Sequence, residues 1–132
     1  YAKKLGCEMV ICYKERKKAN VVENMKVIGD VKDRNVILVD DLIDTAGTLT
    51  KAADMLMEQG AKSVRAYCTH PVLSGSAYDR IESSQLTELV VSDSIPLKKE
   101  SPKIKVISVA EHFARVMWNV HHHESISSHF IM

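Results

Sequence analysis

The 132-residue sequence holds only 3 Pro and 5 Gly, too few for a collagen-like or low-complexity chain, so a compact fold is expected. Its three cysteines, Cys7, Cys12 and Cys68, are odd in number, and none stands in Cys-x-x-Cys spacing. That suggests neither a disulfide framework nor a zinc site, and it fits a reducing compartment. Charge of one sign is also missing: 18 Lys plus Arg stand against 17 Asp plus Glu, a net charge of +1. Such a balance gives no broad field to hold nucleic acid or an anionic membrane, so any anion site must be local. No apolar run approaches the roughly 20 residues of a spanning helix, and no basic-then-apolar leader precedes the first strand-like segment. The expectation is one cytoplasmic domain with an ordinary composition, 45% hydrophobic and 27% charged.

What is present is an alternation of apolar runs and helical patterns, the signature of an α/β domain with a mainly parallel central sheet flanked by helices. Both faces of that sheet are expected to be covered. Tyr1 to Leu5 reads as the last turn of a helix closed by Gly6, so the N-terminal part of a longer protein is expected upstream. Glu8 to Tyr13 reads as a strand, Lys14 to Asn20 as an exposed loop and Met25 to Val31 as a weaker strand. Asn35 to Val39 (NVILV) reads as a central strand buried on both sides and ending in Asp40 and Asp41. From Gly47 to Gln59 the residues Leu49, Ala52, Ala53, Leu56 and Met57 share one helical face, and Gly60 stands where a cap belongs. Further strands are predicted over Ser63 to Cys68, Leu89 to Val91 and Ile104 to Val109, with a short helix over Ser76 to Ser83. A last helix, Ala110 to about His122, closes the domain with Phe113, Val116, Met117 and Val120 at helical spacing. No internal repeat or domain boundary interrupts the chain.

Chemistry concentrates in Val36 to Thr50, VILVDDLIDTAGTLT. A buried strand ending in two carboxylates and passing through Asp44, Thr45, Ala46, Gly47 and Thr48 into a helix places those groups at the carboxyl end of the sheet, where open α/β sheets bind ligands. Ala46 and Gly47 admit a ligand close to the backbone, and helix-start N–H groups with the Thr45 and Thr48 hydroxyls can donate to an anion. A phosphate monoester suits that loop. The acids Asp40 and Asp41 need partners of their own, and sugar hydroxyls or a magnesium ion would serve. A plainer reading of DD and TAGT is a strand end followed by a helix cap. No Walker A or dinucleotide fingerprint is present.

Taken together, VDDLIDTAGT resembles the phosphoribosyl diphosphate motif of the type I phosphoribosyltransferase fold. The segments ICYKERKKANVVENMKVIGDV, CTHPVLSGSAYDRI, ELVVSDSIPL and ISVAEHFARVMWNVHHHESIS extend the likeness over the whole chain, to the C-terminal half of the ribose-phosphate diphosphokinase family. The resemblance implies an enzyme that binds ATP and Mg2+ and transfers the β,γ-diphosphate of ATP to C1 of ribose 5-phosphate. It implies that Asp40 and Asp41 lie near the ribose hydroxyls, that Asp44 to Thr48 hold the 5-phosphate, and that Lys14 and Arg16 form the basic catalytic pair. It further implies that nucleotide and most magnesium contacts lie upstream of Tyr1, leaving residues 1–132 inactive alone, and that the full protein forms dimers building rings, commonly hexamers. Two rivals stay open: a phosphoribosyltransferase that consumes phosphoribosyl diphosphate, and a non-catalytic synthase-associated subunit, which would lack the Lys14 and Arg16 pair. Without the resemblance, Lys14, Arg16, Lys17 and Lys18 read as a solvated loop with no interleaved aromatic to stack on nucleotides.

Other residues carry weaker signals. His121, His122 and His123 follow one another on a helix and point about 100° apart, which prevents convergence on one ion. Ser125 and Ser127 match positions that in regulated members of the resembled family help form a phosphate or ADP site between subunits; a polar tail explains them equally. His70 follows a predicted strand and either faces the ribose pocket or, on the plainer reading, is a hydrogen-bonded structural histidine. Ser74, Gly75 and Ser76 either shape the pocket mouth or cap the short helix. Trp118 and the helical methionines read as core or subunit interface.

Overall fold

The computed structural model describes residues 1–15 and 24–130, the side chains of residues 14, 15, 24 and 25 excepted. Helix α1, Ala2–Leu5, ends at Gly6 in the left-handed conformation (φ 63°). Strands β1, Ile11–Glu15, and β2, Asn24–Ile28, pair antiparallel as a two-stranded arm with Cys12 opposite Val27. Those two side chains are half-buried and pack on the core, which anchors the arm. Both strands differ in extent from the pattern reading: β1 starts at Ile11 rather than Glu8 and takes in Lys14, and β2 stops at Ile28. Residues 16–20 of the predicted loop lie outside the described residues.

A separate parallel sheet follows in the order β3-β4-β5-β6, formed by Asn35–Ile43, Ser63–Pro71, Glu88–Ser92 and Ile104–Ile107. The expected mainly parallel α/β architecture is what forms. Between β3 and β4 runs α2, Gly47–Glu58, and between β4 and β5 runs α3, Ala77–Ser83. The predicted stripe of α2 is the buried one: Leu49, Ala52, Ala53 and Leu56 enter the core with Ala77, Tyr78 and Ile81 of α3, and Met57 packs against it. Gly60, at φ 92°, ends α2 with its N–H on the Met57 carbonyl while Ala61 reaches back to Leu56, satisfying carbonyls that the helix leaves open. Leu56 is fully buried.

Three expectations about cover are corrected. β3 is an edge strand of its sheet, and while Val36 and Leu38 pack on the core, Ile37 and Val39 on the alternate face are 51% and 47% exposed. Tyr67 on β4 and Ile107 on β6 are exposed too, so α2 and α3 cover one face and the described residues leave the other largely open. Finally α4, Ala110–His121, buries no residue, and Phe113, Met117, Trp118 and Val120 remain in solvent. The apolar stripe of α4 is present as predicted, yet it does not close this core. Trp118 instead stacks on His122 with ring centroids 4.0 Å apart, so it belongs to the surface of this chain.

The start of α4 is tied to the sheet by Asp93, whose Oδ1 accepts the Val109 N–H at 2.9 Å. A hydrogen bond from the Ser108 hydroxyl, followed by the one from Val109, holds the Asp93 carboxyl below its ordinary pKa. A depressed folded value stabilises the folded state above the unfolded pKa, about 4, and that contribution disappears as pH falls through the folded value. The Val109 amide is therefore expected to lose hydrogen-exchange protection below about pH 4, and Asp93→Asn to remove that pH dependence.

Candidate functional site

The expected strand end at Asp40 and Asp41 is also corrected: β3 runs on through Ile43 because β4 runs on with it, pairing Leu42 with His70 and Ile43 with Pro71. Consecutive strand residues project to opposite faces, so Asp40 and Asp41 approach the sheet end from its two sides rather than as a parallel pair. Asp40 Oδ1 accepts the Asp41 N–H at 3.0 Å. Beneath them lies Cys68, whose Sγ–H faces the Asp41 carbonyl at 3.5 Å and the His70 carbonyl at 3.6 Å. Burial pushes the Cys68 thiol pKa up, against backbone hydrogen bonds at His70 and Ile43 and with the charges of Asp40 and Asp41 adding to the rise. This thiol stays neutral and serves packing.

The chain then turns through Asp44, Thr45 and Ala46 into α2 at Gly47. Ala46 holds φ 58°, the left-handed region that alanine adopts at a cost of about 1–3 kcal/mol. Thr50 secures it from the helix side, its N–H and its Oγ1 each donating to the Ala46 carbonyl at 3.0 Å. Among the described residues, the amides of residues 45–49 meet no acceptor. Exposed Thr45 and Thr48 hydroxyls stand beside them. The structure thus brings Asp44, Thr45, Ala46, Gly47 and Thr48 together as one turn of unpaired donors at the C-terminal end of β3, with Asp40 and Asp41 immediately before it. Donors in that arrangement are chemically able to receive an anion, favoured further by the positive end of the α2 dipole.

The second wall of the turn comes from the segment after β4. Leu73 and Ser74 donate backbone N–H groups to the Ile43 and Asp44 carbonyls at 3.1 and 3.0 Å. The Ser74 hydroxyl donates to the Asp44 carboxylate. Ser74 therefore shapes the loop mouth, whereas Ser76, at the start of α3, makes no side-chain cap. Sequence reasoning left Ser74 between those roles and missed Arg80, whose Nη1 donates to the Thr45 carbonyl at 2.9 Å. Nothing local in SAYDRI announces that contact. His70 Nδ1 lies 3.0 Å from Ser94 Oγ, which itself donates to the Thr69 carbonyl, the structural role expected of it.

Two concavities, of about 570 and 480 Å³, lie elsewhere. The first separates residues 5–12 from β3; the second sits on the open sheet face over Ile37, Val39, Tyr67 and Ile107, with Asp40 at its margin. Neither is lined by residues 44–48. An anion loop works through amides at a sheet edge and needs no deep cavity, so the donor geometry is the better guide to the site. Lys14 ends up near the tip of β1, opposite Met25, while its side chain and Arg16 lie outside the described residues. Ser125 and Ser127 contact each other, Oγ to Oγ at 3.1 Å, ahead of the 3-10 turn Ser127–His129. Among the described residues no group of three or more His, Cys, Asp or Glu is placed to hold a metal.

Comparison with known proteins bears on this arrangement. Residues 8–131 match the family described as phosphoribosyl synthetase-associated domain. The ribose-phosphate pyrophosphokinase of Campylobacter jejuni is 62% identical over 130 residues, covering 98% of this chain and 42% of that protein. Its counterpart in Wolinella succinogenes is 58% identical over 131 residues, with 99% and 42% covered. In structure the chain is similar to the crystal structure of phosphoribosylpyrophosphate synthetase from Mycobacterium smegmatis, with a TM-score of 0.84 and 34% identity over 92% of this chain and 40% of that one. The chain spans about two fifths of the length of these relatives. With nearly its full length matched, it belongs to the phosphoribosyl synthetase-associated domain family.

Proposed function

We propose that the protein carrying this chain is a ribose-phosphate diphosphokinase, and that residues 1–132 are its C-terminal phosphoribosyltransferase-like domain, which holds ribose 5-phosphate. The observation that carries the reading is the turn of residues 44–48, whose amides meet no acceptor among the described residues and which follows directly on Asp40 and Asp41. A phosphate monoester fits the amides and the Thr45 and Thr48 hydroxyls; the ribose hydroxyls donate to the two carboxylates. Names of relatives that span more than twice this length support the assignment of the whole enzyme.

Two carboxylates without a third ligand make no metal cage, yet they suit magnesium, which keeps several waters and takes one or two carboxylates plus phosphate oxygens. Asp40 and Asp41 are the residues of this chain that would contribute. The ion, when bound, neutralises charge on the transferring phosphates. The chain itself binds and orients: the turn fixes the 5-phosphate, the acids fix the ring, and the C1 hydroxyl is left free to attack the β-phosphorus of ATP, its oxygen bonding to that phosphorus as the α,β-bridging bond breaks and AMP leaves. Lys14 and Arg16 then supply positive charge to the phosphate oxygens as charge develops on them. Contacts to ATP come from outside this chain, in a cytoplasmic homo-oligomer, most simply a hexamer.

Isothermal calorimetry tests the reading. The chain alone is expected to bind ribose 5-phosphate and to show no turnover with ATP. Undetectable binding at millimolar sugar phosphate, with circular dichroism showing a folded sample, would refute it.

A further inference from the structure

The turn at residues 44–48 is gripped from outside by a residue that its motif does not contain. Arg80, on the exposed side of α3, donates from Nη1 to the Thr45 carbonyl oxygen at 2.9 Å. The same nitrogen lies 3.4 Å from the place that a β-carbon on Gly47 would occupy. A trans peptide holds its C=O and N–H in one plane, pointing in opposite directions, so holding the Thr45 oxygen also fixes the direction of the Ala46 N–H. That N–H meets no acceptor among the described residues.

Ala46 keeps a left-handed backbone, and such conformations persist only where the surroundings over-determine them. The Thr50 bonds to the Ala46 carbonyl are local, from the first turn of the helix. Arg80 reaches the preceding peptide from 35 residues away. Asp44 is held likewise across 30 residues by Ser74. The two contacts brace the turn from the same side of the chain, and Arg80 is the one acting on the Thr45–Ala46 peptide.

We propose that Arg80 is a positioning residue for the anion loop: by holding the Thr45 carbonyl it keeps the Ala46 amide presented to the ligand phosphate, and so sets affinity for the phosphorylated end of the sugar. The inference rests on the phosphate-loop reading given under Proposed function. Arg80→Gln removes the charge and the reach, whereas Arg80→Lys keeps a charged donor without the planar fork.

Both variants are to be made in the protein that carries this chain. The measurements are the Kd for ribose 5-phosphate by calorimetry, KM separately for ribose 5-phosphate and for ATP, and the ligand-free melting temperature by circular dichroism. Arg80→Gln is expected to raise Kd and KM for ribose 5-phosphate about tenfold, in keeping with loss of one charge-assisted hydrogen bond. KM for ATP should stay within about twofold and the melting temperature within about 2 °C. Arg80→Lys should recover most of the lost affinity. Unchanged affinity for ribose 5-phosphate in Arg80→Gln would overturn the proposal, as would a parallel rise of both KM values with a fall in melting temperature. A wild-type protein that is folded but binds no ribose 5-phosphate would instead sink the phosphate-loop reading and this inference with it, a result distinct from equal binding with and without Arg80.

Discussion

On the function proposed above, replacing Lys14 or Arg16 with alanine in the full-length protein is expected to lower turnover about 100- to 1000-fold, the usual loss when one group stabilising transition-state charge is removed. Lys14 lies near the end of β1, one strand of the β1–β2 arm, which shares no ladder with the parallel sheet, and Arg16 lies outside the described residues. Half-buried Cys12 and Val27 fix the arm to the core, so Lys14 is carried on an element separate from the turn at residues 44–48. That separation predicts a division of effects. Turnover should fall while calorimetric affinity for ribose 5-phosphate changes by less than about threefold, because in the proposed role the two cations meet charge that develops during transfer rather than the resting sugar phosphate. Single-turnover rates beside calorimetry check both halves. Turnover at the wild-type level in either variant would remove that residue from the chemistry.

The largest effect on stability is expected from Leu56→Ala, a loss of about 2–5 kcal/mol measured by urea denaturation. Leu56 is fully buried, on the face of α2 that packs against β3 and β4, among Ala53, Val64 and Ile81 of the same core. The rigid elements around it leave little room to collapse into the space of three missing carbons. Because α2 also begins at the anion turn, the loss undermines the scaffold that aims the amides. The midpoint should therefore rise on adding ribose 5-phosphate, by mass action on the folded state. A loss below about 1 kcal/mol would mean that the core at this position relaxes freely.

Much of this arrangement was legible in local pattern. The stripe Leu49, Ala52, Ala53, Leu56 and Met57 announces the buried face of α2 because a helix repeats every 3.6 residues, and Gly60 marks its end because the left-handed conformation there suits glycine. The turn from Asp44 to Thr48 was readable since all of its parts are contiguous. What escaped is non-local. Ile37 and Val39 are as aliphatic as Val36 and Leu38, and nothing in NVILV tells which of its faces has a partner. The amphipathic pattern of α4 gives a helix correctly but not what that helix packs on. Ser74 and Arg80 join the site across 30 and 35 residues, a proximity created by the sheet and by α3.

The open face of the sheet bears on how this chain is handled at the bench. Ile37, Val39, Tyr67 and Ile107 form a wall of aliphatic and aromatic groups that the described residues leave in contact with water. Fluorescent dyes that light up on apolar surface report this wall as readily as they report lost packing. A dye-based melt of the isolated chain therefore starts bright and hides its own transition, and far-ultraviolet dichroism or calorimetry is the sounder gauge of unfolding.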